Sequence, residues 1–143
     1  MTDQSTHTGG CLCGQIRYAV SIPHGFDDTA HCHCRMCQRA VGAAVVTWTS
    51  VPAASFTWTA AAPAAYRSSA DAVRTFCPVC GTSLSFALDG DPAIDVTVAS
   101  LDDPDAATVD RNIWTESRLR LLKGFDSEPV SPTHLTLPPL TPA

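Results

Sequence analysis

The chain has 143 residues, a net charge of -5 and 16% charged residues, a balance typical of one folded globular domain. Nucleic acid and anionic membranes are unsuitable partners, because the nine basic residues form no cluster. No apolar run approaches the roughly 20 residues of a membrane span. The first residues lack the basic and apolar regions of a signal peptide, so we expect a cytoplasmic protein. Thiols stay reduced there, and clustered cysteines more often bind metal than form disulfides.

Composition divides the chain into one domain and two ends. Residues 1–8 are expected to be a flexible N-terminus, and residues 126–143 a proline-rich tail. Residues 9–125 are then expected to form a single domain, which contains all seven cysteines.

Short β-like segments follow one another through this domain. Ile16, Tyr18 and Val20 alternate with small or polar residues, the two-residue period of a strand. One short helix is predicted around Arg35 to Val41. Further strand-like segments cover residues 43–49, 56–58, 73–76, 84–88 and 94–99, with turn residues between them. The pattern predicts an all-β, mainly antiparallel fold with one or two short helices. Its expected core aromatic residues are Trp48, Phe56, Trp58 and Phe86.

Seven cysteines lie in three short clusters, and an odd number cannot pair completely into disulfides. Buried apolar thiols are the alternative, but scattered buried thiols would not show the spacing of metal ligands. The clusters are a C-x-C pair, Cys11 and Cys13; a C-x-C-x-x-C group, Cys32, Cys34 and Cys37; and a C-x-x-C pair, Cys77 and Cys80.

The two outer pairs together predict a closed structural zinc site. The spacing of Cys77 and Cys80 lets both sulfurs face one ion, and the following Gly81 can take the positive φ of a tight turn. Cys11 and Cys13 are the natural partners, since a structural zinc takes four ligands. Such a site would join distant parts of the chain and stabilise the fold directly.

Cys32, Cys34 and Cys37 remain, and three thiolates with an open fourth position are typical of a catalytic zinc site. Two alternatives stay open. Either His31 or His33 supplies the fourth ligand and closes the site, or the site is only partly occupied by zinc.

Three cysteine motifs, in this order and spacing, resemble the glutathione-dependent formaldehyde-activating enzyme family, also called the CENP-V type. The similarity runs from about Gly9 to Leu122 and suggests a short bacterial-type member. The motifs are Gly9-Gly10-Cys11-Leu12-Cys13-Gly14, Cys32-His33-Cys34-Arg35-Met36-Cys37-Gln38-Arg39 and Phe76-Cys77-Pro78-Val79-Cys80-Gly81.

The resemblance implies a β-tent fold and the same division of the cysteines, with two zinc ions per chain. It also implies a carbon-sulfur lyase whose reverse reaction joins glutathione and formaldehyde into S-(hydroxymethyl)glutathione. Another thiol or aldehyde stays open as a substrate, and a homodimer is compatible with the family. A zinc module that binds a partner or a metal without catalysis is the alternative function.

Some residues outside the cysteine motifs receive weaker predictions. Arg67 or Ser69 is a candidate to bind a carboxylate, with a surface hairpin as the alternative. Trp114 is assigned either to a pocket wall or to the core, while Glu116 and Ser117 are pocket candidates or exposed loop residues. The family pattern has a histidine where this chain has Asn112.

Overall fold

The protein was analysed as a computed structural model that describes residues 5–124, in which ten β-strands and one α-helix form. The helix, α1, covers Arg35–Val41. No helix within this described range has the length and apolar character needed to cross a membrane. The strands are β1 (Ser5–Gly10), β2 (Arg17–Ile22), β3 (Thr29–Cys32), β4 (Val46–Pro52), β5 (Phe56–Trp58), β6 (Ala64–Arg67), β7 (Ala72–Phe76), β8 (Ser83–Leu88), β9 (Ala93–Thr97) and β10 (Arg111–Ile113).

These strands form two sheets. Strands β1, β2 and β5 make a three-stranded antiparallel sheet with β2 in its centre. The other seven form a sheet in the order β10-β3-β4-β9-β8-β7-β6, in which only the pairing of β10 with β3 is parallel. The prediction of an all-β, mainly antiparallel fold with a short helix is confirmed.

The larger apolar core joins the two sheets. Tyr18 and Val20 of β2 are fully buried and belong to one cluster with Leu84 of β8 and Val96 of β9. The alternation predicted for β2 is therefore its burial pattern, with every second side chain turned inward. Cys11 and Cys77 belong to the same cluster, so the outer cysteine pairs lie at the edge of this core.

A second, smaller core contains the central cysteines. Cys32, Cys37, Val46 and Trp48 are buried together, with Phe86 packed against them. The predicted core role of Trp48 is confirmed. Phe56 and Trp58 are partly buried against the larger core instead, where they stack around Tyr18.

Helix α1 has the bounds that the sequence predicts. Its N-cap is Cys34, whose sulfur accepts a hydrogen bond from the amide of Cys37 at 3.2 Å. It ends at Gly42, which adopts a left-handed conformation with φ of 73°. A cysteine at the N-cap thus serves both the helix and the sulfur cluster.

The N-terminal segment differs from the expectation of a flexible stretch over residues 1–8. Ser5 to Thr8 belong to β1, which pairs along its whole length with β2. The ring of His7 packs against Phe26 at 4.6 Å between centroids, and the Thr8 hydroxyl donates to Asp102 at 2.5 Å. The polar sequence of residues 5–8 did not predict a strand, because β1 is stabilised by backbone pairing and by contacts with residues distant in sequence. The proline-rich tail over 126–143 lies outside the described residues.

Two strand boundaries also differ from the prediction. The segment predicted over residues 43–49 forms β4 only from Val46, and β9 ends at Thr97 because a 3-10 turn takes over at Val98–Ser100. The ends of β4 and β9 depend on where neighbouring strands offer hydrogen-bonding partners. The apolar pattern of a segment carries no information about those partners.

Candidate active site

Two turns bring the outer cysteine pairs together. Cys11 and Cys13 lie in the turn between β1 and β2, while Cys77 and Cys80 lie in the turn between β7 and β8. The four sulfurs are all within 4.8 Å of one another. We call these four residues the outer cluster.

The spacing of these sulfurs fits a tetrahedral metal site. With Zn–S bonds of about 2.3 Å, sulfurs at the corners of a tetrahedron are about 3.8 Å apart. In the outer cluster Cys13 Sγ lies 3.5 Å from Cys11 Sγ and 3.7 Å from Cys77 Sγ. Disulfide sulfurs are only about 2.05 Å apart, so the cluster has the separation of metal ligands.

Backbone amides point at the same sulfurs. Cys11 Sγ accepts from the amide of Ile16 at 3.2 Å, and Cys77 Sγ accepts from the amides of Val79 and Cys80, both at 3.4 Å. Gly81 makes the second turn possible, because its φ of 78° is costly for a residue with a side chain. Hydrogen bonds from backbone amides stabilise the thiolate form of a cysteine, and thiolates are the form that binds a metal cation. The four sulfurs of the outer cluster are therefore suited to bind a cation.

The central cysteines come together at the start of α1. Cys32 ends β3, Cys34 caps the helix and Cys37 lies within its first turn. Their sulfurs also lie within 4.8 Å of one another, and no fourth His, Cys, Asp or Glu of residues 5–124 joins them. Only Cys34 is half-exposed, while the other two are buried. We call these three residues the open cluster.

Neither candidate histidine belongs to the open cluster. His31 Nδ1 lies 2.8 Å from the Thr47 hydroxyl on the neighbouring strand. His33 is 2% exposed, and its Nε2 lies 2.9 Å from Asn112 Oδ1, which also accepts from Arg118. Because an arginine can only donate, Asn112 Oδ1 is an acceptor, and His33 therefore carries its proton on Nε2. The residue at which this chain departs from the family pattern thus orients His33.

The thiols of the open cluster differ in their environments. Burial, reinforced by the neighbouring sulfurs, raises the pKa of Cys32 to about 12. Burial also raises the pKa of Cys37. Burial acts in the same direction at Cys34, but the amide of Cys37 and the neighbouring sulfurs outweigh it and lower the pKa of Cys34. Cys34 is also the one half-exposed residue of the three.

Arg74 is a functional candidate that the sequence reasoning missed. It lies on β7 and is 7% exposed, with Nη1 and Nη2 at 3.7 and 3.6 Å from Cys37 Sγ. Its guanidinium also lies over the Phe86 ring, 4.9 Å from the centroid, and Nε donates to the Ser68 hydroxyl. None of the ion pairs between described residues includes Arg74. A buried cation needs an anion nearby, and a thiolate at Cys37 would supply it.

A family model described as "glutathione-dependent formaldehyde-activating enzyme" matches residues 6–117, well over half of the chain. The chain belongs to this family, abbreviated GFA below. The matched residues include all seven cysteines and Arg74. Membership supports an enzyme role and points to glutathione-dependent formaldehyde activation, and both cysteine clusters could bind metal ions.

A solved structure agrees with this fold. A crystal structure of a Rhodobacter sphaeroides protein is similar to the GFA-family chain with a TM-score of 0.59 and 24% sequence identity. The similarity covers 73% of this chain and 98% of the other. At this level of identity the likeness supports the fold alone.

The remaining sequence candidates are less suited to a site in this GFA-family chain. Arg67 forms an ion pair with Asp89 at 2.8 Å, and the Ser69 hydroxyl donates to Asp71, so both side chains are engaged at the surface. Trp114 is 59% exposed and not part of the core, and it adopts a left-handed φ of 56° that is uncommon for a bulky residue.

The segment after Trp114 is attached to the helix beside the open cluster. The buried Gln38 donates through Nε2 to the carbonyls of His33, at 2.7 Å, and of Ser117, at 3.3 Å. Glu116 is exposed and Ser117 half-buried. The backbone carbonyl of Ser117 therefore holds the segment after Trp114 against α1. The sequence pattern does not predict this contact.

Proposed function

We propose that this GFA-family protein is a zinc-dependent enzyme that joins a thiol to an aldehyde in the cytoplasm. Glutathione and formaldehyde are the proposed pair, and S-(hydroxymethyl)glutathione is the product, which makes the enzyme a carbon-sulfur lyase in the reverse direction. Cys11, Cys13, Cys77 and Cys80 are the proposed ligands of a structural zinc. The open cluster is the proposed catalytic zinc site.

The open cluster is the observation that supports the proposal most strongly. Three sulfurs lie within 4.8 Å of one another, and no fourth protein ligand of the described range accompanies them. Cys32, Cys34 and Cys37 would hold a zinc ion with one open position, and the ion would supply a Lewis acid that lowers the pKa of a thiol. Of the three cysteines, only Cys34 is half-exposed, so a substrate would reach the site beside this residue.

The chain's own residues control the charge of this site. Three thiolates on a divalent cation leave a net negative charge, which opposes the approach of a further thiolate. Arg74 lies within 3.7 Å of Cys37 Sγ and offsets that charge from the buried side. In the reaction a carbon-sulfur bond forms, the carbonyl π bond breaks, and one proton moves from sulfur to the new hydroxyl oxygen.

Arg35 is the proposed donor to the oxygen that gains charge. It follows Cys34 in the chain and is exposed, whereas His33 is buried against Asn112. Gln38 accepts from Arg35 Nη1 at 2.6 Å and so holds the guanidinium at the start of α1. A positioned guanidinium is suited to stabilising a developing alkoxide.

The test is NMR exchange spectroscopy with glutathione, formaldehyde and protein that contains two zinc ions per chain. We expect the exchange between glutathione and its hydroxymethyl adduct to become faster than the spontaneous reaction in proportion to protein concentration. Cys34→Ser is the matched variant, because it removes one ligand of the open cluster and leaves the outer cluster intact. It should return the exchange rate to the spontaneous value.

Failure to accelerate exchange at full zinc content would overturn the proposal for this substrate pair. An accelerated rate that survives in Cys34→Ser would place the reaction outside the open cluster. A protein with two zinc ions and no acceleration with any thiol-aldehyde pair would instead be a non-catalytic zinc module.

A further inference from the structure

A cleft of about 590 Å³ is lined by Arg74, whose Nη2 also contacts Cys37 Sγ of the open cluster at 3.6 Å. One wall comes from α1 and consists of Met36, Arg39 and Ala40. The other lining residues come from β6, β7, the start of β8 and the turns beside them: Tyr66, Ser68, Arg74, Thr75, Phe76, Gly81 and Ser83. Its volume is within the range of sites that bind small molecules.

The charge of this cleft is opposite to that of the protein. Two arginines line it, Arg39 and Arg74, and no acidic residue does, although the chain as a whole has a net charge of -5. Arg74 is already engaged by Cys37 and Ser68. Arg39 is exposed and is absent from the ion pairs between described residues, so its guanidinium is available to a ligand.

The rest of the lining suits a peptide-like ligand with a charged end. Met36 and Tyr66 are 50% and 64% exposed and offer apolar surface. The Ser68 and Ser83 hydroxyls add hydrogen-bonding groups in the same cleft. Arg67, on the same strand as Tyr66, cannot serve as the anchor because Asp89 neutralises it.

We propose that this cleft binds the carboxylate-bearing end of the thiol substrate, with Arg39 as the residue that pairs with the carboxylate. The inference rests on the proposed function, since it assumes that a thiol reaches the open cluster. Arg74 connects the two places, because it lines the cleft and contacts Cys37 Sγ. A carboxylate at Arg39 would therefore select acidic thiols such as glutathione over neutral ones.

The test uses S-methylglutathione, which has both carboxylates of glutathione but no free thiol to bind a metal. Binding to the zinc-loaded protein is measured by isothermal titration calorimetry, without any reaction. We expect Arg39→Gln to raise the Kd about tenfold, as is typical when a charge-assisted hydrogen bond is lost. Arg39→Lys should recover part of the affinity because it keeps the charge.

Two controls separate the local contact from general charge. Arg120→Gln removes one exposed arginine outside the cleft and should leave the Kd unchanged. The dimethyl ester of S-methylglutathione lacks both carboxylates and should bind the unaltered protein about as weakly as S-methylglutathione binds Arg39→Gln.

The inference is overturned if S-methylglutathione does not bind, if it binds Arg39→Gln and the unaltered protein equally, or if the ester binds as tightly as the acid. An equal loss in Arg120→Gln would also overturn it, because the effect would then be one of net charge. These results are independent of the exchange experiment. If no carboxylate binds at Arg39, the enzyme can still accelerate the reaction of a thiol. If the proposed function is wrong, S-methylglutathione can still bind in the cleft.

Discussion

At the scale of single residues, the open cluster depends on a cation that comes from another part of the chain. Arg74 is 37 positions after Cys37, and yet both of its terminal nitrogens face that sulfur. Phe86 supports the guanidinium from its ring face. A thiolate at Cys37 would compensate the buried arginine for its lost solvation. Arg74 is therefore a proposed positioning residue for the metal site.

We expect Arg74→Gln to weaken metal binding at the open cluster by about 10- to 100-fold, the usual effect of losing a group that supports a ligand. The outer cluster should keep its metal. Zinc content under competition with a chromophoric chelator measures both sites, and the weaker one should release its ion first.

Arg74→Lys is the matched control for that change, because it keeps the charge without the two-nitrogen contact, and it should have intermediate affinity. Equal zinc affinity in Arg74→Gln and the unaltered protein would show that Arg74 is only a packing residue.

At the scale of elements, an ion pair joins the small sheet to the chain after β9. The Arg17 guanidinium, on β2, donates to both carboxylate oxygens of Asp102. The Thr8 hydroxyl of β1 donates to the same carboxylate. The amide of Asp102 also donates to the carbonyl of Thr8 at 2.9 Å. These contacts hold β1 in place, which is why residues 5–8 are ordered despite their polar composition.

The Arg17 guanidinium, aided by Thr8, lowers the pKa of Asp102. The ion pair therefore stabilises the fold fully above about pH 3.9, the pKa of an aspartate in the unfolded chain. This stabilisation is lost as the pH falls through the lower pKa of Asp102 in the folded protein. We expect a double-mutant cycle of Arg17→Gln and Asp102→Asn to give a coupling of about 0.5 to 1 kcal/mol, since both groups are partly exposed and screened. Urea unfolding at pH 8 and pH 5 should give the same coupling.

The same cycle at Arg67 and Asp89 is the control, because that pair is more exposed and lies within one sheet. Its coupling should be smaller. High salt should reduce the Arg17–Asp102 coupling. A coupling that fell between pH 8 and pH 5 would contradict the direction of the Asp102 pKa shift.

At the scale of the whole molecule, the two cysteine clusters have different relations to the fold. The outer cluster joins the turn between β1 and β2, in the small sheet, to the turn between β7 and β8, in the large sheet. The open cluster uses only β3 and the beginning of α1, which are neighbours in sequence. A metal in the outer cluster would therefore hold the two sheets together, whereas a metal in the open cluster would not be needed for that purpose.

We expect Cys80→Ser to lose the outer metal and with it most of the cooperative unfolding transition, because structural zinc contributes folding free energy directly. Cys34→Ser should lose only the second metal and keep a cooperative transition. Zinc content per chain and thermal unfolding followed by circular dichroism measure the two effects. A Cys80→Ser variant as stable as Cys34→Ser would contradict the structural assignment of the outer cluster.

The sequence alone determined the strand-rich character of the chain, the bounds of α1 and the division of seven cysteines into groups of four and three. The strands follow from the alternation of apolar residues, and the cysteine groups follow from ligands that have one or two residues between them. The zinc and catalytic roles of the two groups remain proposals, as does the domain division at residues 9–125.

Tertiary structure alone decided which groups surround the open cluster. His31 and His33 are its neighbours in sequence, yet strand pairing directs them to Thr47 and Asn112, while Arg74 reaches Cys37 from a distant strand. The physical reason is that charge compensation and hydrogen bonding depend on distance in space. Spacing along the chain predicts which sulfurs can share an ion, but only the contact between Arg74 of β7 and Cys37 of α1 shows which cation faces them.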